Sequence, residues 1–351
     1  MKITEIDKNF AVKTEISKED IEFYDVMESP FKIYGVFKEN GKFRRMSEDV
    51  AKTVSPNVYA LHANTAGGRV KFVTDSPYVA ISAKMGEICR MPHFALTATA
   101  GFDMYDEEGY TATFMPPYDM ESGYDSVFDF PTPKLREITI NFPLYSDVCD
   151  LYIGIKKGSK LARAKEYANE KPVVFYGSSI TQGGCASRPG NSYQAIISRK
   201  QNLHYINLGF SGSACAEDEI AEYIANLDMS LFVYDYDYNA PNIEHLEKTH
   251  KRMFDTIRKK NPDLPILMVT RPGISPDIAE VEKRREIVCA TYKAALDDGD
   301  KNVYFTNGKE IFEYADKDAI TCDGVHPNDF GFWCMAQVIG EKIKEIRGRK
   351  A

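Results

Sequence analysis

Apolar and polar residues alternate along the first part of the chain, from residue 30 to about residue 155. The apolar members of the pattern include Val70 and Phe72, Val79 and Ile81, Phe94 and Leu96, Ile138, Ile140 and Phe142, and Leu151, Ile153 and Ile155. Turn-forming stretches separate these runs, as at 64–68 and 106–109. Short alternating strands with regular turn signals are typical of a β-sandwich, and no helical period of useful length interrupts them. We therefore predict an all-β sandwich domain over residues 1–156.

The pattern changes after residues 157–171, a charged stretch that we interpret as a linker. From residue 172 to residue 351, short apolar runs alternate with longer segments of helical spacing. The runs are 172–176, 204–208, 231–234, 265–270 and 302–305, and the helical segments are 193–200, 243–260, 278–296 and 330–346. This alternation predicts an α/β domain in which helices cover both faces of a parallel sheet.

Composition and charge narrow the classes of function. Hydrophobic residues make up 43% and charged residues 27%, as expected for a globular protein, and the net charge of -8 argues against nucleic acid as a partner. The seven cysteines form no Cys-x-x-Cys pair, so neither a zinc ribbon nor a thioredoxin-type redox motif is predicted. The first residues lack the apolar run of a signal peptide, and no apolar stretch reaches 18 residues. We expect a soluble, cytoplasmic protein that does not contact a membrane.

Polar clusters follow four of the five predicted strands, at 177–184, 207–213, 235–240 and 323–328. In a parallel sheet the carboxyl ends of the strands share one edge, so these clusters should converge in space. Their residue types suit acyl transfer by nucleophilic catalysis. A serine hydroxyl needs an imidazole to take its proton, and the imidazole needs an orienting carboxylate, which Asp323 and His326 can supply from one turn. A glycine N–H and an asparagine amide are suitable donors for the oxyanion.

The segments GSSIT, LGFSG, YNA and DGVHPN, in this order, resemble blocks one, two, three and five of the SGNH (GDSL-type) hydrolases. The resemblance implies a five-stranded parallel sheet of order 2-1-3-4-5. It also implies that Ser179 is the nucleophile, His326 the base and Asp323 the acid that orients it. The oxyanion donors would be the backbone N–H groups of Ser179 and Gly212 and the side chain of Asn239.

Two positions depart from the pattern of that family. Ser178 stands where an aspartate usually precedes the nucleophile, and 237–240 (DYNA) stands where block three usually has Gly-x-Asn-Asp. Neither change removes a catalytic group. The second places Tyr236 and Tyr238 beside Asn239, where their rings could limit the acyl pocket, although neighbouring side chains of a strand point to opposite faces.

The first half resembles the jelly-roll-like GxDLY β-sandwich domain that precedes certain bacterial SGNH hydrolases, on the segments 30–35, 43–46, 66–72 and 101–105. The combination is similar to two-domain bacterial carbohydrate O-acetylesterases. It implies a serine esterase that removes short acyl groups, chiefly acetyl, from a small acylated substrate such as an acetylated oligosaccharide, without a cofactor. The alternatives are a lysophospholipase- or thioesterase-like hydrolase of lipid acyl chains and a non-catalytic carbohydrate-binding protein. Homo-oligomer formation stays open.

Other interpretations of the same residues are weaker. Ser179 could simply cap a helix, and Ser211 imitates a nucleophile elbow, but the motif fails because residue 213 is not glycine. Cys322 and His326 could suggest a metal pair, but no second pair has ligand spacing, so we predict no metal. Among the other histidines, we expect His93 in the core and His250 in solvent.

Overall fold

The computed structural model describes residues 3–7, 11–12, 14–272, 277–313 and 315–348. The strands of the first half are β1 (Ile21–Asp25), β2 (Lys32–Tyr34), β3 (Phe37–Glu39), β4 (Lys42–Arg44), β5 (Arg69–Thr74), β6 (Tyr78–Met85), β7 (Phe102–Asp106), β8 (Gly109–Phe114), β9 (Gly123–Asp129), β10 (Arg136–Asn141), β11 (Val148–Lys156) and β12 (Leu161–Ala162). One antiparallel sheet has the order β1-β11-β6-β9, and a second has the order β12-β5-β10-β7-β8, with β2 also paired to β5. Strands β3 and β4 form a separate hairpin.

One hydrophobic core joins the two large sheets. It contains Phe72 and Ile138 from the second sheet together with Ile81 and Ile153 from the first. The β-sandwich expected from the period-two pattern is therefore confirmed. Strand β12 lies within the stretch interpreted as a linker and pairs antiparallel with β5, so this stretch contributes an edge strand to the sandwich.

Helices also occur in the first half, contrary to the expectation from its periodicity. They are α1 (Ile3–Ile6), α2 (Glu48–Val54), α3 (Pro56–Leu61) and α4 (Leu96–Thr99). The side chain of Ser55 caps α3, and Pro56 occupies its first turn. Helices α2 and α3 bury Ala51, Val54 and Val58 in a core that they share with the second half. Their apolar positions were missed because the segment is short and its partner lies in another part of the chain.

The second half is the α/β domain that the alternation predicted. Its parallel strands are β13 (Val173–Gly177), β14 (Tyr205–Gly209), β15 (Leu231–Asp235), β16 (Ile266–Val269) and β17 (Val303–Thr306), in the order β14-β13-β15-β16-β17. This is the order 2-1-3-4-5. The helices are α5 (Ser179–Gln182), α6 (Tyr193–Gln201), α7 (Asp218–Ala225), α8 (Ile243–Lys260), α9 (Ile278–Asp297), α10 (Gly308–Ile311) and α11 (Asp329–Gly348).

A separate core covers each face of this sheet. Alternate residues of β13 divide between them: Val173 and Phe175 pack with α6 and α11, whereas Val174 and Tyr176 pack with α7 and α8. Within the described ranges, no helix combines the length and the apolar character needed to cross a bilayer.

His250 lies inside the second of these cores, and the expectation that it is solvated was wrong. It is 2% exposed, because it shares one face of α8 with Leu246 and Phe254. Its ring stacks on Tyr234 at 4.5 Å, and its Nδ1 lies 2.8 Å from the hydroxyl of Thr291. Burial lowers the pKa of His250 to about 3.

The lowered pKa of His250 makes the stability of the protein depend on pH. The unfolded chain binds a proton at this residue below about pH 6.5, whereas the folded chain does not, so stability falls as pH falls through that value. When the pH is lowered from 7.5 to 5.0, the unfolding free energy of both proteins should fall. We expect the fall to be roughly 2 kcal/mol larger for the wild type than for His250→Gln. Urea unfolding of both proteins at the two pH values measures the difference. Equal losses of unfolding free energy in the two proteins would show that His250 does not contribute to the pH dependence of stability.

Candidate active site

Ser179 is the first residue of α5, and only Ser178 separates it from the end of β13. The hydroxyl of Ser178 caps this helix by accepting a hydrogen bond from the N–H of Ile180 at 3.2 Å. A Cβ at Gly177 would lie 2.0 Å from the carbonyl oxygen of Asp235, so only glycine allows the strand to end this close to β15. Ser179 itself is 9% exposed. The local sequence thus holds one serine hydroxyl at the carboxyl edge of the sheet, and Ser178 serves as the cap.

The turn before α11 brings a carboxylate and an imidazole to this serine. One carboxylate oxygen of Asp323, Oδ1, accepts hydrogen bonds from the backbone N–H groups of Val325 at 2.9 Å and His326 at 2.7 Å. The other, Oδ2, lies 2.7 Å from Nδ1 of His326. On the far side of the ring, Nε2 lies 2.9 Å from the hydroxyl oxygen of Ser179. The three residues singled out from the sequence therefore form one continuous chain of hydrogen bonds.

The hydrogen bonds of Asp323 determine its protonation state. Partial burial raises the pKa of Asp323, but the hydrogen bonds from the backbone and the ring of His326 and from Val325 outweigh burial and lower it to about 2. The carboxylate is therefore ionised at neutral pH. An ionised acceptor at Nδ1 places the ring proton there and leaves Nε2 free to accept a proton from Ser179.

Hydrogen-bond donors lie at the ends of β14 and β15, the two strands that flank β13. Gly212 follows β14 with a φ of 67°, in the left-handed region that glycine adopts without strain. Across the described part of the chain, no acceptor contacts its N–H or the N–H of Ser179. The Oδ1 of Asn239 accepts the N–H of Ala214 at 3.3 Å, which leaves the Nδ2 of Asn239 as a donor.

Gln182, the last residue of α5, connects the loops at this edge of the sheet to the N-terminal domain. Its Nε2 donates to the Oδ1 of Asn64 and to the carbonyl of Leu144, both at 3.1 Å. Its Oε1 accepts the N–H of Ser211 at 3.0 Å. The side chain thereby links the sandwich, the helix of Ser179 and the turn of Gly212. The hydroxyl of Tyr145 adds a hydrogen bond to the carbonyl of Ser179 at 3.2 Å.

Arg45 makes the second link between the domains. Its guanidinium, in a residue that is 2% exposed, donates to the carbonyls of Asn64 at 2.7 Å and Leu61 at 2.8 Å in its own domain. It also donates to the carbonyls of Asn207 at 3.2 Å and Gly209 at 2.6 Å at the end of β14. Burial lowers the pKa of Arg45 to about 9, which leaves it charged at neutral pH. One buried cation thus fixes the strand end that leads into Gly212.

His93, expected in the core, is instead an exposed residue at the candidate site. It lies in the loop between β6 and α4, and its Nε2 is 3.9 Å from Oδ2 of Asp323. The ring of the adjacent Phe94 packs edge-on against His326 at 5.6 Å between centroids. One donor atom each from His93, Cys185, Asp323 and His326 could hold a metal ion, since the four lie within 4.8 Å of one another. Sequence spacing could not reveal this group, because its members come from three separate segments.

The two tyrosines of block three differ in position. Tyr236 is buried among the helices below the sheet, and its hydroxyl lies 2.6 Å from that of Thr249, so it does not line the site. Tyr238 is partly buried on the opposite side, with the guanidinium of Arg271 at 3.8 Å from its ring centre. Both residues follow the end of β15, in a turn rather than in the strand, and this turn directs the two rings to different cores.

Comparison with known families agrees with this geometry. The model of the GDSL-like lipase/acylhydrolase family matches residues 170–344, and the model of the N-terminus of SGNH-hydrolase-type esterases matches residues 21–161. The chain belongs to the GDSL-like lipase/acylhydrolase family. It is therefore an ester-hydrolysing enzyme that carries the N-terminal domain of the SGNH-type esterases.

Solved structures share the two-domain fold of this acylhydrolase. A Bacteroides ovatus protein described as a GDSL-like lipase is 26% identical, with a TM-score of 0.84 over 93% of this chain and 98% of its own. A salicylyl-acyltransferase from a tetracycline biosynthetic pathway is 18% identical, with a TM-score of 0.76 over 94% and 98%. A family two carbohydrate esterase from Clostridium thermocellum, in complex with cellohexaose, is 15% identical, with a TM-score of 0.61 over 82% and 94%. A comparison with curated proteins finds no match.

The link through Arg45 gives a testable expectation for this acylhydrolase. Arg45→Met removes this donor from the carbonyls of Asn64, Asn207 and Gly209, whereas the carbonyl of Leu61 still accepts the N–H of Asn64. Each buried carbonyl left unpaired costs about 1–3 kcal/mol. We expect a loss of roughly 3–5 kcal/mol in unfolding free energy. The kcat of the folded fraction should also fall, with a smaller change in KM, because the end of β14 is released.

Arg44→Met is the matched control, since Arg44 is also buried but pairs with Glu48 and Glu39 within the sandwich. This variant should be destabilised without losing kcat. Urea unfolding and steady-state kinetics on both variants measure the change in stability and the change in kcat. A full kcat in folded Arg45→Met would contradict the link.

Proposed function

We propose that this enzyme hydrolyses acetyl esters of oligosaccharides with Ser179 as the nucleophile. The observation that carries the proposal is the chain of hydrogen bonds from Ser179 through His326 to Asp323, with spacings of 2.9 and 2.7 Å. A serine, an imidazole and a carboxylate in this arrangement form the catalytic unit of many unrelated serine hydrolases.

The geometry supports a two-stage reaction. In the first stage, the Ser179 oxygen attacks the ester carbonyl while Nε2 of His326 takes the serine proton. Ionised Asp323 stabilises the imidazolium that forms. His326 then gives the proton to the departing sugar hydroxyl, which leaves an acetyl group on Ser179. In the second stage, His326 takes a proton from water, the resulting hydroxide attacks the acetyl group, and the same proton returns to Ser179 as acetate leaves.

Negative charge on the carbonyl oxygen requires donors that are in place before the reaction. We assign this role to the N–H groups of Ser179 and Gly212 and to the Nδ2 of Asn239. All three lie at the ends of adjacent strands and are free of other acceptors within the described residues. The links of Gln182 and Arg45 to the turn of Gly212 keep these donors fixed, so that little reorganisation is needed as charge develops.

Two kinds of structural neighbour bear on the class of substrate. The structural neighbours include family two carbohydrate esterases and an acetyl xylan esterase from Butyrivibrio proteoclasticus with a TM-score of 0.59, which supports an acetylated carbohydrate. The Bacteroides ovatus protein, which is more similar to this chain than these esterases are, is described as a GDSL-like lipase. Lipid acyl esters are therefore the alternative class of substrate. The length of acyl chain that the enzyme accepts separates the two.

Replacing the nucleophile tests the assignment of Ser179. Ser179→Ala removes only the attacking oxygen, so the fold should survive and kcat should fall by about 10⁴-fold or more. Hydrolysis of p-nitrophenyl acetate and the circular dichroism spectrum measure the two effects. Ser211→Ala, two residues from the end of β14, is the control and should retain most of the activity. A folded Ser179→Ala protein with over a tenth of the wild-type kcat would refute the assignment.

The acyl-chain profile tests the class of substrate. Ser179 is only 9% exposed, which favours a small acyl group at its hydroxyl. We expect p-nitrophenyl acetate to react faster than the butyrate and the octanoate to be almost inert, with acetylated xylo- or cello-oligosaccharides deacetylated in parallel. A hydrophobic slot that accepted longer chains would gain roughly 1–3 kcal/mol per added methylene. Faster turnover of the octanoate would therefore favour the lipid alternative.

A further inference from the structure

Four side chains at the proposed active site, two of which belong to proposed catalytic residues, combine the donor atoms of a transition-metal site. They are the imidazoles of His93 and His326, the thiol of Cys185 and the carboxylate of Asp323, with one donor atom of each within 4.8 Å of the others. We propose that these residues form a binding site for a zinc-type divalent ion and that the bound ion switches the esterase off. The inhibitory part of this inference rests on the proposed catalytic roles of His326 and Asp323.

The spacing of the donor atoms is close to that of a tetrahedral site. Ligand bonds of about 2.0–2.3 Å place the donors of a tetrahedron roughly 3.3–3.8 Å apart. The Nε2 of His93 is 3.9 Å from Oδ2 of Asp323, which fits with little adjustment. The Nδ1 of His326, at 2.7 Å from Oδ2 of Asp323, is closer than this range, and a separation of about 1 Å corrects the distance.

The two residues outside the catalytic chain are held in position by the fold. Cys185 follows α5 with a φ of 69°, an unusual value for a residue with a side chain, and it is buried. Its Sγ lies 3.6 Å from the carbonyl oxygen of His93. The His93 ring packs edge-on against Phe94 at 4.5 Å. The thiol and the first imidazole therefore approach Asp323 from the two different domains.

The chemistry of the donors indicates the class of ion. Magnesium and calcium prefer oxygen ligands, whereas thiolate and imidazole nitrogen suit zinc and copper. A site with one sulfur, two nitrogens and one carboxylate should therefore select Zn²⁺ over Mg²⁺ and Ca²⁺. Binding releases the thiol proton of Cys185 to the solvent as the metal–sulfur bond forms.

An ion in this position is incompatible with the proposed catalysis. If Nδ1 of His326 binds the metal, the hydrogen bond to Asp323 is lost, and if Nε2 binds it, the contact with Ser179 is lost. Either way the imidazole can no longer take the serine proton. Because His93 belongs to the N-terminal domain, the ion also joins the two domains and should stabilise the folded protein.

The test uses the full chain with ZnCl₂ and two readouts, p-nitrophenyl acetate hydrolysis and isothermal titration calorimetry. We expect Zn²⁺ to bind one site per chain, to inhibit hydrolysis and to raise Tm, while Mg²⁺ does none of these and EDTA restores activity. His93→Gln and Cys185→Ser should each weaken zinc binding and inhibition at least tenfold, where inhibition is measured relative to the activity of the same variant without zinc. His93 is exposed, so its variant should fold even if the Cys185 variant does not.

Cys149→Ser is the thiol control, because Cys149 lies on β11 outside the cluster. It should bind zinc as the wild type does. Ser179→Ala should also bind zinc normally, so calorimetry tests the metal site even if the proposed esterase activity fails. Unchanged zinc affinity in both His93→Gln and Cys185→Ser, or no binding by the wild type, would overturn the site. Zinc binding without inhibition of an active enzyme would overturn its role as a switch.

Discussion

A single buried guanidinium holds the sheet edge that carries the proposed catalytic residues against the N-terminal domain. Arg45 donates to four backbone carbonyls, two in the sandwich at Leu61 and Asn64 and two at the end of β14 at Asn207 and Gly209. No described carboxylate lies within ion-pairing distance of it, so these carbonyls and the ring of Phe210 at 4.9 Å replace its hydration. Burying a cation costs free energy unless all its donors find acceptors. The position of one side chain therefore depends on the geometry of both domains.

The proposed site is therefore a property of both domains together. The α/β domain supplies Ser179, His326 and Asp323, but the sandwich supplies the residues that contact their surroundings. Gln182 bonds to the sandwich residues Asn64 and Leu144, and Gly67 approaches so closely that a Cβ there would lie 2.8 Å from the Cβ of Asn207. An interface this polar and this close acts as a fixed support rather than as a hinge. We infer that an isolated α/β domain would lose the alignment of the proposed oxyanion donors.

Sequence alone predicted the parts of the structure that depend on local patterns. The strand–helix alternation identified the second domain, and helix α8 occupies the predicted residues 243–260. The spacing of Asp323 and His326 is local as well, because one turn brings the carboxylate to the ring of the same loop. Their meeting with Ser179, 147 residues earlier, followed from the rule that parallel strand ends share an edge.

The predictions from sequence were wrong or incomplete where contacts between distant segments determine the structure. Helix α2 is amphipathic only with respect to a core in the other domain, and His250 is buried because the sheet lies under one face of an otherwise charged helix. Arg45 and His93 lie in ordinary turns. Arg45 contacts Gly209, more than 160 residues later, and His93 lies near Asp323, more than 200 residues later. Nothing in the sequence around either residue indicates such a distant partner. Tertiary packing, rather than an unrecognised motif, gives these residues their roles.

In the proposed reaction, Ser179 attacks a carbonyl whose oxygen is held by donors from three strand ends. The most direct measurement is a crystal structure of the protein after reaction with a p-nitrophenyl alkylphosphonate, which mimics the tetrahedral intermediate. We expect phosphorus bonded to the oxygen of Ser179, with a phosphonyl oxygen about 2.7–3.1 Å from the N–H nitrogens of Ser179 and Gly212 and the Nδ2 of Asn239. Phosphorus on another residue, or a phosphonyl oxygen that contacts none of these donors, would contradict it.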